Sequence, residues 1–139
     1  MDRTVVFTLG GMTFEYDEDK NQANIAKHKL SLRTAARVFF DDDCIERLDT
    51  DHSFGEERYQ LIGDLSAGKI PDNGDDTYAE LTAIGSVRQF ARDEDDIIYV
   101  VYTERIRKLE NGVPVETIRL ISARTATSFE RGLYYGQFI

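Results

Sequence analysis

The chain has 139 residues, a formal net charge of −9 and a single cysteine, Cys44. This length is typical of one domain with a substantial core, and one thiol excludes an intramolecular disulfide. The first residues lack a basic stretch followed by a long apolar one, and no run reaches the ~18 apolar residues of a membrane helix, so we expect a cytoplasmic protein without a membrane segment.

The negative charge is unevenly distributed. Residues 1–96 hold 11 Lys+Arg against 22 Asp+Glu, whereas residues 97–139 hold 6 against 4. Nucleic-acid binders usually present a basic face. We therefore expect any such face to come from the C-terminal stretch.

The N-terminal quarter predicts a hairpin followed by two helices. Residues 4–9 and 12–16 are typical of short strands around Gly10-Gly11. Asp17 is suited to cap a helix over about residues 18–29. Ser31 is suited to cap a second helix, in which Leu32, Ala35, Ala36 and Phe39 recur at helical spacing.

The middle of the chain predicts two strands and a long irregular segment. Residues 44–48 and 57–63 favour strands, separated by a polar loop that contains His52. Residues 64–96 contain several turn-forming residues, and we interpret residues 78–90 within them as a strand.

The last third predicts a hairpin that leads into a helix. Ile97 to Glu104 and Ile118 to Ala123 are strand-like, and Asn111-Gly112 suits the turn between them. Thr125 or Thr127 is suited to cap the helix that follows. Because Arg119 and Arg124 are an odd number of residues apart, an ideal strand would point them to opposite faces.

Several ordered blocks of this sequence resemble the BrnT family of toxins. They are Phe14-Glu-Tyr-Asp-Glu18 with Lys20, Asn24-Ile-Ala-Lys27-His28, Ala35-Ala36 with Val38-Phe39, Asp51-His52-Ser53, Glu56-Glu57-Arg58, Ile62-Gly63, Val100-Val-Tyr-Thr103, Ile118-Arg119-Leu-Ile-Ser-Ala-Arg124, Ala126-Thr127 and Glu130-Arg131. The blocks extend over residues 12–63 and 97–135, about two thirds of the chain.

The resemblance implies a fold, an activity and a partner. The fold is a single compact α+β domain similar to RelE-type ribonucleases, with an antiparallel sheet, two N-terminal helices and a C-terminal helix. The activity is metal-independent RNA cleavage that inhibits translation. The partner is a BrnA-like antitoxin with a ribbon-helix-helix part, so that the toxin meets DNA only through the complex.

The segment at about 64–96 departs from the family pattern, in which a few residues usually join the flanking strands. Here it holds 3 Lys+Arg against 9 Asp+Glu. It could cover an RNA-facing surface, inhibit the site as an acidic segment, or extend the sheet elsewhere. The alternative function is a catalytically inactive toxin-like protein that only binds its partner.

RNA cleavage without a metal needs a base for the 2′-OH proton, cations for the phosphate charge and an acid for the leaving oxygen. We hypothesise that Glu57 or His52 is the base and that Arg119 or Arg124 stabilises the transition state. The remaining candidates are Arg58 in the catalytic set, His28 as a further base or acid, and Lys27, His28 and Arg105 as RNA-binding residues. Neither a metal nor a cofactor is expected, since two histidines and one cysteine make no zinc set.

Each candidate also has an ordinary structural interpretation. Lys27 and His28 can close a helix C-terminus, where cations are favourable. His52 can be a loop capping group, and Glu57 with Arg58 can be an edge ion pair of small energetic value. Arg119 or Arg124 can hold the carboxylate of Glu130.

Overall fold

The computed structural model describes residues 3–52, 55–66 and 96–139, without the side chain of His52. The strands are β1 (Thr4–Leu9), β2 (Met12–Asp17), β3 (Ile45–Leu48), β4 (Arg58–Asp64), β5 (Ile97–Lys108) and β6 (Pro114–Thr125). The helices are α1 (Glu18–His28), α2 (Leu32–Ala35) and α3 (Ser128–Gly136), with 3₁₀ turns at Ala36–Phe40 and Thr50–His52. The strand predicted at residues 78–90 lies outside the described residues.

The six strands form one sheet in the order β1-β2-β6-β5-β4-β3. Every neighbouring pair is antiparallel except β2 and β6, which run parallel from Thr13–Thr117 to Glu15–Arg119. The α+β class is thus confirmed, and the sheet is antiparallel as predicted except in this one pair. The β5–β6 hairpin fixes the direction of β6, and β2 joins its outer edge in the direction set by the hairpin with β1.

Turn and cap chemistry explains the N-terminal elements. Gly10 and Gly11 adopt φ of 56° and 83° in the β1–β2 turn, a region that glycine enters without a steric penalty. Asp17 caps α1 by accepting a hydrogen bond from the Lys20 N–H at 3.1 Å. Lys29 ends α1 in the left-handed conformation, with φ of 60°.

The second helix is shorter and tighter than its sequence pattern predicts. Ser31 caps it through the Thr34 N–H at 3.1 Å, but after Ala35 the chain continues as a 3₁₀ turn. Leu32 and Ala35 are fully buried nonetheless, because the same apolar stripe packs on the sheet.

Asn24 on α1 fixes this helix to the unpaired part of the β6 edge. Pairing between β2 and β6 stops at Arg119. Further along β6, the Asn24 amide donates to the Ala123 carbonyl at 2.8 Å and accepts from the Ala123 N–H at 3.1 Å. The same amide donates to the Leu30 carbonyl at 2.8 Å. One buried side chain therefore does what a neighbouring strand would do.

The sheet has two different faces. The helical face, on which α2 packs, carries the main core, and Phe14, Val100 and Leu120 point into it. The opposite face, called here the second face, carries a smaller cluster in which Ile62 and Ile97 pack with Tyr134 of α3. Among the helices that the structure describes, none combines the length and the apolar character of a membrane-spanning segment.

The C-terminal hairpin extends well beyond its predicted strands. Leu109 and Val113 close the turn through a backbone hydrogen bond of 2.9 Å, and Gly112 adopts φ of 82°. Thr127, one of the two predicted caps, begins α3 as half of a capping box with Glu130.

Candidate functional site

Four arginines from three strands share the second face of the sheet. Strand side chains alternate between faces, so the neighbours of core residues point away from the helical face. Arg119 precedes the core residue Leu120, and Arg58 and Arg119 both lie opposite Thr103 of β5. Two further arginines follow Thr103 on β5 at every second position. We call Arg58, Arg105, Arg107 and Arg119 the arginine cluster.

A buried carboxylate lies beneath the arginine cluster. Glu15 follows the core residue Phe14 on β2, and its side chain is only 5% exposed. Its Oε2 lies 2.5 Å from Arg119 Nη1 and 3.8 Å from Arg105 Nη1. Its Oε1 lies 3.5 Å from Arg107 Nη1. Three guanidinium groups from two strands therefore converge on one carboxylate.

A second carboxylate, Glu56, lies at the rim of the same cluster. Arg105 Nε and Nη2 donate to its two oxygens at 3.1 and 3.2 Å. The hydrogen bond from Arg105 outweighs burial and, with the charges of Arg58 and Arg119, lowers the pKa of Glu56. Glu56 is therefore an ionised carboxylate beside cations at neutral pH.

A β-bulge places Arg119 and Arg124 on the same face, so the prediction of opposite faces is wrong. The register between β5 and β6 shifts at Val101/Tyr102, and β6 has one extra residue there. As a result Arg119 lies opposite Thr103 and Arg124 lies opposite Tyr99. Those two β5 positions are four residues apart, which puts them on one face about 13 Å apart along the strand.

Arg124 belongs to a separate group of contacts. Its guanidinium lies over the Tyr99 ring at 4.1 Å and binds both oxygens of Glu130 at 2.7 and 3.0 Å. Of the two arginines that were predicted as structural partners of the Glu130 carboxylate, Arg124 makes this contact. The hydrogen bond to Glu130 raises the pKa of Arg124 despite burial.

The contact between Arg124 and Glu130 predicts an acid-sensitive contribution to stability. Burial opposes ionisation of Glu130, but hydrogen bonds from Arg124 and Thr127 outweigh it and hold the pKa of this carboxyl below its ordinary value. Such a group stabilises the fold above the unfolded-state pKa of about 4.3 and loses this effect as pH falls through the lower folded-state pKa.

We therefore expect Glu130→Gln, which keeps the capping hydrogen bonds, to lower the free energy of unfolding by about 1 kcal/mol at pH 7. Urea titrations should show this difference shrinking below about pH 4. A difference that stays constant down to pH 3 would contradict the assignment of the effect to the ionised pair.

The other predicted site residues are divided among several places. The Glu57 carboxylate accepts from the Tyr59 hydroxyl at 2.9 Å, beside the core of the helical face rather than in the arginine cluster. Lys27 is exposed in the last turn of α1. His28 follows it, and burial, with the charges of Lys27 and Arg124, lowers its pKa. His52 ends a 3₁₀ turn, and its side chain is not described.

Three residues of the site were not predicted as site residues from the sequence: Arg107 of the arginine cluster, and Glu15 and Glu56, the two carboxylates that contact it. A signal existed for two of them, because Arg105 and Arg107 alternate along one strand and Glu15 lies between the core residues Phe14 and Tyr16. No sequence pattern distinguishes Glu56 from Glu57.

A groove lies beside the arginine cluster, and the described residues include no set of side chains that could hold a metal ion. A groove of about 470 Å³ adjoins Arg105 between the β1–β2 turn and the end of the β5–β6 hairpin, and Met12, Thr117 and Ile118 also line it. No group of three metal-ligating side chains occurs among the described residues.

Burial, with nearby carboxylates, raises the pKa of the Cys44 thiol to about 11, which suits a packing role and not that of a nucleophile.

Comparison with known proteins gives one family. Residues 16–71 match the family model described as a ribonuclease toxin, BrnT, of type II toxin-antitoxin systems. The match spans about two fifths of the chain, includes Glu56, Glu57 and Arg58, and confirms the BrnT resemblance over this segment. No curated protein gives a significant match.

Proposed function

We propose that this chain, which carries a BrnT segment at residues 16–71, is the ribonuclease toxin of a type II toxin–antitoxin pair with a RelE-like fold. The observation that carries the proposal is the arginine cluster with its two carboxylates. It concentrates positive charge on one face of a protein whose net charge is −9. The family description implies ribonuclease activity, and the cluster supplies a surface suited to RNA.

The cluster has the chemistry that RNA phosphates require. Guanidinium groups bind phosphate oxygens through paired N–H donors and stay charged at all physiological pH values. Four arginines against two carboxylates leave a local excess of positive charge. Such groups can hold the RNA backbone and stabilise the charge that develops on the phosphate during cleavage.

The residues present also include candidates for the base that cleavage requires. In cleavage by the 2′-OH, a base removes the hydroxyl proton while the oxygen attacks phosphorus and the 5′-oxygen leaves with a proton from an acid. Arg119 is the member of the cluster closest to Glu15 and is the proposed transition-state residue. Glu56 joins Glu57 and His52 as a candidate base, and we favour Glu56 over Glu57 because Glu56 contacts Arg105 at the rim of the cluster whereas Glu57 contacts Tyr59. The proposed reaction uses no metal.

The proposed biology follows from the family. A type II toxin has an antitoxin partner, here of the BrnA kind with a ribbon-helix-helix part that binds DNA. The toxin would act in the cytoplasm, where cleavage of RNA inhibits translation. Lys27, His28 and Arg105 remain proposed RNA contacts, and Arg58 and Arg124 remain proposed members of the catalytic set.

The direct test is incubation of the purified protein with total RNA at low salt in EDTA. We expect cleavage that EDTA does not stop and that 0.5 M salt weakens, because salt competes with phosphate contacts. Cleavage that requires an added divalent metal would contradict the metal-independent mechanism. Intact RNA under every condition would contradict the ribonuclease function.

Glu56 and Glu57 make a matched pair of variants, since they are adjacent and each carries one carboxylate. We expect Glu56→Gln to lower kcat for RNA cleavage at least tenfold, because its carboxylate lies in the arginine cluster. We expect Glu57→Gln to stay within threefold of the wild type, because Glu57 contacts Tyr59. Initial rates between pH 5 and 8 measure both, and the reverse ranking would assign the base to Glu57.

The acidity of the chain favours a second candidate function, a toxin-like protein that binds its antitoxin without cleaving RNA. Residues 64–96 alone hold 3 Lys+Arg against 9 Asp+Glu. Expression without a partner separates the two functions. Growth arrest that the antitoxin relieves supports the nuclease, whereas normal growth with a soluble, antitoxin-binding product supports the binding protein.

A further inference from the structure

The buried side chain of Glu15 has an environment that the proposed reaction does not by itself explain. At 5% exposure its carboxylate is too enclosed to receive a proton from RNA directly. Its position is nonetheless central, since three members of the arginine cluster contact it. Burial of a carboxylate is costly unless cations and hydrogen bonds compensate, and here they do.

The parallel pairing of β2 with β6 creates this position. It places Glu15 directly opposite Arg119, whose Nη1 donates to Glu15 and also to the Thr4 hydroxyl at 3.2 Å. Arg105 and Arg107 come from β5, on the far side of β6, and reach across to the same carboxylate. Each guanidinium has five N–H donors, so one arginine can bind Glu15 and a second oxygen atom at the same time, as Arg119 does with Glu15 and Thr4.

Without a carboxylate among them, the guanidinium groups would repel one another and spread over the face. Like charges in a partly buried site interact strongly because water screens them poorly. Glu15 offsets that repulsion at one fixed point on the sheet. Arg119 is held most closely, and its side chain is 13% exposed against 43% for Arg105 and 41% for Arg107.

We propose that Glu15 is a positioning residue, which holds the guanidinium groups of Arg105, Arg107 and Arg119 at the spacing that RNA cleavage requires. This assignment rests on the proposed ribonuclease function. Glu15 acts through the arginines and does not touch the substrate. Its contribution should therefore appear in the rate of the chemical step and not in the affinity for RNA.

Glu15→Gln distinguishes a positioning role from a purely electrostatic one. A positioning role predicts slower cleavage without loss of affinity for RNA, whereas a purely electrostatic role predicts a rise in both. The substitution removes one negative charge from the RNA-facing side, so affinity for RNA should stay equal or rise. Loss of the fixed arginine geometry should lower kcat, since displacements of about 1 Å can cost about a hundredfold. The expected result is a fall in kcat of at least tenfold without loss of affinity.

The experiment measures kcat by single-turnover cleavage of an RNA oligonucleotide that the wild type cleaves, and affinity with its uncleavable 2′-O-methyl counterpart. Glu104→Gln, the same change at an exposed position of β5, is the matched control and should stay within twofold of the wild type in kcat. Circular dichroism and thermal unfolding establish that each variant is folded. If Glu15→Gln does not fold, Glu15→Asp keeps the charge but shortens the side chain, and the same criterion applies.

A folded variant whose kcat falls at least tenfold without loss of affinity supports the proposal. Any other result in a folded variant overturns it, including a rise in both quantities, which would show that Glu15 only weakens RNA binding. Absence of cleavage by the wild type would overturn the proposed function together with this assignment. Equal cleavage by the wild type and Glu15→Gln overturns the assignment of Glu15 alone.

Discussion

Arg119→Gln is expected to lower kcat for RNA cleavage by about 10²- to 10³-fold, the loss typical of removing one donor to a charged transition state. Arg119 is the member of the arginine cluster closest to Glu15, at 2.5 Å, and its side chain is the most enclosed of the three that contact it. A guanidinium held in this way needs little reorganisation when charge develops on the phosphate. Single-turnover cleavage at saturating enzyme measures the effect on the chemical step.

The matched control for this variant is Arg33→Gln. Arg33 lies over the Phe7 ring beside the core of the helical face, so its loss changes the net charge equally without touching the arginine cluster. We expect its kcat within threefold of the wild type. Equal losses in both variants would show that overall charge, and not the position of Arg119, governs cleavage.

Arg124→Gln extends the test to the second arginine that the sequence suggested as a transition-state residue. The contacts of Arg124 with Tyr99 and Glu130 indicate a structural role, about 13 Å along the strand from Arg119. Loss of cleavage with unchanged thermal stability would extend the active site to Arg124. Full cleavage by both Arg119→Gln and Arg124→Gln would refute the arginine assignment as a whole.

Asn24→Ala is expected to lower the free energy of unfolding by about 3 kcal/mol and the Tm by about 10 °C. The substitution leaves the Ala123 N–H, the Ala123 carbonyl and the Leu30 carbonyl without the partner that Asn24 provides. Each buried polar group that loses its partner costs about 1–3 kcal/mol. Urea unfolding followed by circular dichroism measures the change.

Gln22→Ala provides the comparison on the same helix. Gln22 is exposed and donates to Glu18 within α1, so its replacement should change the free energy of unfolding by less than about 0.5 kcal/mol. Similar losses in both variants would mean that helix propensity, and not the attachment of α1 to β6, determines the stability of this region.

The elements that follow from local chemistry could be predicted from the sequence. Asp17, Ser31 and Thr127 cap helices where their side chains reach free N–H groups, and Gly10-Gly11 and Asn111-Gly112 form turns that need positive φ. These signals depend on residues within a few positions of one another.

The arrangement of the site could be predicted only in part, because it depends on contacts between distant strands. The β6 bulge that returns Arg124 to the face of Arg119 has no local signal, since Leu120 to Ala123 is consistent with an unbroken strand. The choice between Glu56 and Glu57 depends on which carboxylate reaches Arg105, nearly fifty residues later. The sequence correctly predicted that Arg119 lies in a strand. It could not predict which side chains from other strands contact Arg119.

The parallel pairing of β2 with β6 also determines when the site can exist. Glu15 and Arg119 are 104 positions apart in the chain, and contacts of such long sequence separation close slowly during folding. A growing polypeptide contains β1, β2 and α1 long before β6, so the arginine cluster is assembled only after β6 has been synthesised. Under the proposed function, a nascent chain that still lacks β6 therefore has no assembled arginine cluster with which to act on RNA.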